Sequence, residues 1–260
     1  MKLWLVVIAA VLAALAQTPA ITDGGVVNLA GSGPLQVVAP GSLVAVFGSQ
    51  LASKIAAANT IPLSTTLDDV TSVTFNGISA PLLFVSPSQI NAQVPWEVQP
   101  GSASVVVTRT GGSSAPAAVQ ITPSAPGIFT INFSGRQALA VNNADGSIAG
   151  PPNLIPGLTS HPAKAGDTLV IFATGLGPVS PAAVTGNSSA DTMRSTVDTP
   201  TVLVGGMPAQ VSFSGLSPLL VGVNQLNVVV PSGVPAGNFV TLQLQMGDTT
   251  TTDQVTIAVQ

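Results

Sequence analysis

The sequence predicts an all-β chain: two tandem immunoglobulin-like β-sandwiches joined by a partly β, Pro-rich connector. Three observations lead there. First, "SQINAQVPWEVQPG" at 88–101 returns as "NQLNVVVPSGVPAG" at 224–237, an offset of 136. Second, two earlier blocks recur in the same order. "PGSLVAVFGSQL" (40–51) matches "AGDTLVIFATGL" (165–176) at an offset of 125, and "VTFNGISAPLLF" (73–84) matches "VLVGGMPAQVSF" (202–213) at 129. Third, 26 Gly and 22 Pro punctuate the chain throughout. Turns are therefore frequent, and no amphipathic helix is available for the crossovers of a parallel sheet.

Residues 1–16, "MKLWLVVIAAVLAALA", read as a signal peptide. Lys2 forms a short positive region, a brief apolar run follows, and Ala14-Leu15-Ala16 supplies the small-x-small cleavage site. The first sandwich is assigned to 17–123, with 17–36 as an N-terminal extension. Its strands include "SLVAVFG" and "QINAQVP", in which Ile90, Ala92 and Val94 face one way and Gln89, Asn91 and Gln93 the other. Pro95, which cannot donate to a ladder, belongs at the strand's end, and Pro231 plays that part in the second copy. "LASKIAAANT" (51–60) has room for one helical turn or two. Residues 124–163 form a structured connector: its first part alternates, Asp145-Gly146 marks a hairpin turn, and Phe129 and Phe133 give it something to pack with. The second sandwich is assigned to 164–260. About seven short strands per unit, with turn signals between, are the immunoglobulin-like signature.

The stretches "VVNLAGSGPLQVVAPGSLVAVFGSQLA", "APLLFVSPSQINAQVPWEV", "APGIFT", "NNADGS" and "LVIFATGLGPVSP" resemble an uncharacterised C-terminal domain family of secreted proteins from Solibacter-type acidobacteria. Through "G-x-x-V-x-x-x-G…V-x-F-x-G…V-P", each half also resembles the immunoglobulin-like domains of plexins and some transcription factors. The first resemblance implies export, a bacterial source and the sandwich fold. It supplies no activity and no site.

Composition excludes several classes. The six Lys and Arg are scattered singly against ten Asp and Glu, so no patch can neutralise a row of phosphates, and nucleic-acid binding is not expected. Nor is membrane insertion after signal cleavage. With no Cys, disulfides and thiolate metal sites are excluded, and no cofactor is expected. His161 is the only His, and no G-x-S-x-G elbow accompanies it, so no Ser-His-Asp catalytic set is predicted. "NNADGS" (142–147) fails the calcium-loop register, because Pro152 falls where an acid is required. Asp68 and Asp69, adjacent in sequence, are read as turn residues. A hydrolase built on Asp68 or Asp145 is disfavoured.

Trp96 is the one candidate contact for a ligand or partner. It is the only Trp of the mature chain, follows the strand-ending Pro95, and is replaced by Ser232 in the second copy. An exposed Trp there offers a stacking platform or an interface anchor, and packing against the connector is the competing role. The recurring Gln89/Asn91 and Gln225/Asn227 are read as fold elements, with a twice-present binding site as the sharper alternative. The expected function is an exported, non-enzymatic cell-surface or extracellular interaction module: adhesive, scaffold-forming or matrix-associated. Its partner would be an extracellular protein or polysaccharide, or a second copy of itself. The alternative is a carbohydrate- or small-ligand-binding module that uses Trp96 and nearby loops.

Overall fold

The computed structural model describes residues 18–30, 37–131, 136–247, 249–251 and 255–260. The expected signal peptide and Phe133 lie outside the described residues. The fold is all-β, an immunoglobulin-like sandwich architecture. Among the described residues there is no helix, and so none long and apolar enough to cross a membrane. Residues 51–60, given room for a helical turn, form none; they are bends around the short strand Ala56–Ala57. The edge of a sheet claims their backbone: Ala56 and Ala57 pair with Val85 and Phe84, and Ala58 N–H donates to Leu83 O.

The first half stacks two sheets. One has the order Ala20–Asn28, Leu43–Ser49, Gln89–Gln93, Leu82–Val85, Ala56–Ala57; the other runs Val37–Val38, Ala117–Ile121, Gly101–Arg109, Val70–Phe75, Ile78–Ser79. Their inner faces share one core that includes Val44, Val46, Phe75, Ile90, Val105 and Val107. Full burial of a side chain such as Phe75 stabilises by about 1.5–3 kcal/mol. The second half has its own core, centred on Leu169, Ile171, Leu226, Leu242 and Ile257. Residues of 124–163 enter that core, among them Ile128, Ala140 and Ala149. Ala140–Asn142 pairs directly with Thr168–Thr174, so this stretch extends the second half's sheet.

The pairings reproduce the sequence offsets residue by residue. Leu43 opposes Gln93 and Val46 opposes Ile90; adding 125 and 136 gives Thr168 opposite Val229 and Ile171 opposite Leu226, as observed. A bulge between Leu82 and Phe84 has its counterpart between Val211 and Phe213. One difference follows from a single residue. Pro81 interrupts the chain between Ile78–Ser79 and Leu82–Val85, because it has no N–H to give a ladder. Its counterpart Gln210 pairs with Val229, and Met207–Leu216 runs unbroken from one sheet into the other.

The halves meet through hydrogen bonds to main-chain atoms. Leu43 N–H donates to Thr174 Oγ1 (2.9 Å), whose hydroxyl donates to Gly222 O (2.6 Å). The buried Gln93 accepts from Gly186 N at 2.8 Å and donates to Gly41 O at 3.3 Å. Asn28 Nδ2 donates to Ala125 O (2.8 Å), tying down the segment where the chain passes between the halves. Gly222 has φ +70°, and a Cβ there would stand 2.6 Å from Leu43 Cδ2. The left-handed conformation and the close approach both call for glycine.

Candidate binding groove

Trp96 lies at this junction. Its indole is laid against Gly41, whose φ is +77° and whose absent Cβ leaves the space that the ring occupies. Its backbone N–H donates to Thr185 Oγ1 (3.0 Å), and the Thr185 hydroxyl donates to Glu97 Oε2 (2.7 Å). The ring is half-buried. The counterpart Gly166, with φ +89° and Ser232 in place of the Trp, has open space around it.

His161 is brought beside Asp145 and Ser147 by short parallel strands, Ile148–Ala149 and Ser160–His161. The three do not form a catalytic relay. Asp145 Oδ2 (2.8 Å) and Ser147 Oγ (2.9 Å) both lie on His161 Nε2, while Nδ1 faces Pro162 O at 3.1 Å. Ser147 Oγ–H is spent on Asp145 Oδ1 (2.6 Å), so its oxygen accepts from the ring and is not activated by it. Both ring nitrogens face acceptors. The Asp145 hydrogen bond, with the Pro162 carbonyl second, raises the imidazole above its usual 6.5. Hydrogen bonds from Ser147, then from His161, hold the Asp145 carboxyl well below the carboxylate range. The His161 contribution to stability is complete below pH 6.5 and is lost as pH rises through the elevated folded value. Asp145's contribution is complete above the ordinary carboxylate value of 3.8 and is lost as pH falls from there through the depressed folded value. An NMR titration of the His161 ring should therefore have its midpoint above 6.5, and His161→Gln should abolish the loss of stability on the alkaline side. A midpoint at or below 6.5 would contradict this clamp.

Asp68 and Asp69 act separately. Asp68 pairs with Lys54 (2.8 Å), and Asp69 accepts from Ser53 N (3.0 Å) and lies 3.0 Å from Arg109 Nε. Among the described residues no group of His, Asp and Glu is placed to hold a metal.

The recurring amides form the same bond in both halves. Gln89 Nε2 donates to Asn91 Oδ1 at 2.7 Å, and Gln225 Nε2 donates to Asn227 Oδ1 at 3.0 Å. They face outward, flanked on neighbouring strands by Phe47 and Phe84 in the first half and by Phe172 and Phe213 in the second. Core packing has no use for this arrangement. In the second half it floors a groove of about 470 Å³, lined by Phe213, Gln225 and Asn227 with Thr192, Met193 and Leu216. The wall is the segment before Arg194, four residues longer than in the first half (176 to 202 against 51 to 73). The largely buried Arg194 holds it: two guanidinium bonds to Asp191 (2.7 and 3.0 Å), one to Ala182 O (3.1 Å) and one to Ser189 Oγ (3.3 Å). The Arg194 hydrogen bonds pull the Asp191 carboxyl down to about 2. Gly215 lets the Phe213 ring lie across the strand, since a Cβ there would be 2.6 Å from Cζ.

Residues 34–123 match the IPT/TIG domain family. No curated protein matches the chain. Among solved structures, the chain is similar to a mixed-linkage glucan utilization locus protein, SGBP-B, from Bacteroides ovatus, solved with a heptasaccharide (15% identity, TM-score 0.35, 87% of this chain and 44% of that one). It is also similar to a surface glycan-binding protein from Prevotella bryantii (13%, TM-score 0.30, 90% and 41%). A third likeness is to domains 5-6 of the S-layer protein SbsC (16%, TM-score 0.25, 93% and 98%). The chain thus spans less than half the length of the first two. Superpositions this loose assign neither ligand nor partner.

Proposed function

We propose that the chain is an exported, non-enzymatic interaction module of the cell surface or extracellular space, adhesive, scaffold-forming or matrix-associated. Its units are 17–123 and 164–260, with 124–163 as the connector that completes the second. The carrying observation is the outward Phe–Gln–Asn–Phe arrangement, present in both halves at equivalent register and facing away from both cores. Aromatic rings beside preset amides on a sheet face are recognition chemistry. The leader-like residues 1–16 and the likeness to secreted Solibacter-type proteins support export, and the sparse charge leaves little repulsion to oppose association. The test is the solution size of the mature protein by light scattering, with and without calcium, together with its retention on bacterial cells and on polysaccharide gels. Self-assembly or retention sustains the reading; a monomer held by neither overturns it. The rival reading, a small-ligand module centred on Trp96, draws on the half-buried indole. It requires Trp fluorescence to change with glycans and to stop doing so in Trp96→Ala.

A further inference from the structure

We infer that the groove beside Phe213 is a site for a neutral saccharide chain, with Phe213 as the platform for a sugar ring and the Gln225–Asn227 pair as the reader of its hydroxyls. This rests on the reading of the protein as an interaction module and gives that module a ligand class. Four observations select the ligand.

The floor offers side chains only. Asn224–Val229 is paired on both edges, with Thr168–Thr174 and with Met207–Leu216, so its backbone groups are spent in ladders. An extended peptide that adds a strand needs an open edge, and none lies in the floor.

The unused atoms form a fixed donor–acceptor couple. Gln225 Nε2 is committed to Asn227 Oδ1. Among the described residues, Gln225 Oε1 and Asn227 Nδ2 have no partner. If both amides are turned over, the internal bond reverses and one donor and one acceptor are again left outward. Neighbouring hydroxyls on a pyranose, each able to donate and accept, satisfy such a couple. A ligand that only accepts or only donates does not.

Charge is absent from the exchange. None of the side chains that line the groove is charged, and on the wall Arg194 and Asp191 are joined to each other in a two-bond pair. An anionic or cationic ligand finds no counter-ion there, whereas a neutral polyol forfeits nothing.

Apolar surface lies beside the amides. Phe213 lines the groove, and Met193 is 71% exposed at its rim. A sugar ring presents C–H groups on one face and hydroxyls around its edge, which suits an aromatic plane flanked by amides.

The test is affinity electrophoresis of the full mature protein through gels containing hydroxyethyl cellulose, galactomannan or dextran as neutral probes, with polygalacturonate as the charged one. At least one neutral polymer should retard the protein. Phe213→Ala and Asn227→Ala should each weaken that retardation by about tenfold or more. Phe239→Ala, at an exposed aromatic on a distant strand (77% exposed), should leave it unchanged. Thr192→Ala, a mild change on the wall, guards against misfolding of the floor variants and should weaken binding by a smaller factor. The inference is overturned if no neutral polymer retards the protein, if polygalacturonate alone does, or if the Phe213 and Asn227 variants bind like the parent. Retention on cells or self-assembly without any polysaccharide retardation would sink the saccharide ligand and leave the interaction module standing. Loss of all of these would sink both.

Discussion

Gly41→Ala destabilises the protein by about 2–5 kcal/mol, whereas Gly166→Ala, at the equivalent corner of the second half, costs only about 1–2 kcal/mol. Both glycines close the same turn: each donates its N–H, at 2.9 Å, to the residue before the strand-ending Pro, Val94 O in one case and Val230 O in the other. Both have positive φ, so the backbone penalty for a side chain is common to the two. They differ in what a Cβ would meet. At Gly166 there is nothing within 4 Å; at Gly41 the Cβ would overlap the indole of Trp96. The Cβ is fixed to the backbone and what it meets is a rigid, packed indole, so the ring must leave the junction or the corner must open. Urea unfolding of both single variants measures the difference. A cycle with Trp96→Ser, which copies Ser232, isolates its cause: in that background the cost of Gly41→Ala falls toward that of Gly166→Ala. Equal costs for the two glycines in the parent protein would show that Trp96 does not press on this corner.

Thr174→Val is the second large effect, a loss of about 2–6 kcal/mol from the stability of the joined halves. Valine keeps the shape and the strand preference of threonine but has no hydroxyl. That hydroxyl, fully buried, accepts from Leu43 N–H and donates to Gly222 O. Without it, two buried backbone groups from different halves lose their partners, each at roughly 1–3 kcal/mol. Thr174→Ser keeps the hydroxyl and removes only a methyl, so it should cost less than about 1.5 kcal/mol. Thermal unfolding of the pair, with small-angle scattering to follow the angle between the halves, checks this. If valine proves no worse than serine, the bridge through Thr174 is not what holds the junction.

Much of the fold is legible in the sequence because alternation and offset report inward faces directly. Ile90, Ala92 and Val94 are buried as their spacing predicts, and the offsets 125 and 136 recover the strand register. What escapes has a local cause. Simple alternation from Leu82 turns Phe84 inward, but the bulge adds one residue and turns it outward opposite Asn91. The same happens at Phe213, so the aromatic side of the groove cannot be found by counting. The strand at Ala140–Asn142 did carry a signal. "VVNLA" at 26–30 returns as "AVNNA" at 140–144, and both asparagines accept from the N–H two residues on, at 2.9 and 3.0 Å. The two amides were legible as a recurring pair, but their bond to each other was not, since side chains two apart on one strand face meet only when both rotamers allow. The grip of His161 on Asp145 has no signature either; it exists because two dipeptide strands align.

The unbroken strand Met207–Leu216 has a mechanical consequence. A chain held at one end and dragged at the other carries tension through its ladders. In the second half the two sheets share this strand, so they must shear as one body. In the first half the cut at Pro81 uncouples them, and one sheet can peel before the other. The first half is thus the compliant element and the second the stiff anchor. Single-molecule stretching should show the first half yielding at the lower force, and Pro81→Gln should narrow the gap. A second half that yields first would end this picture.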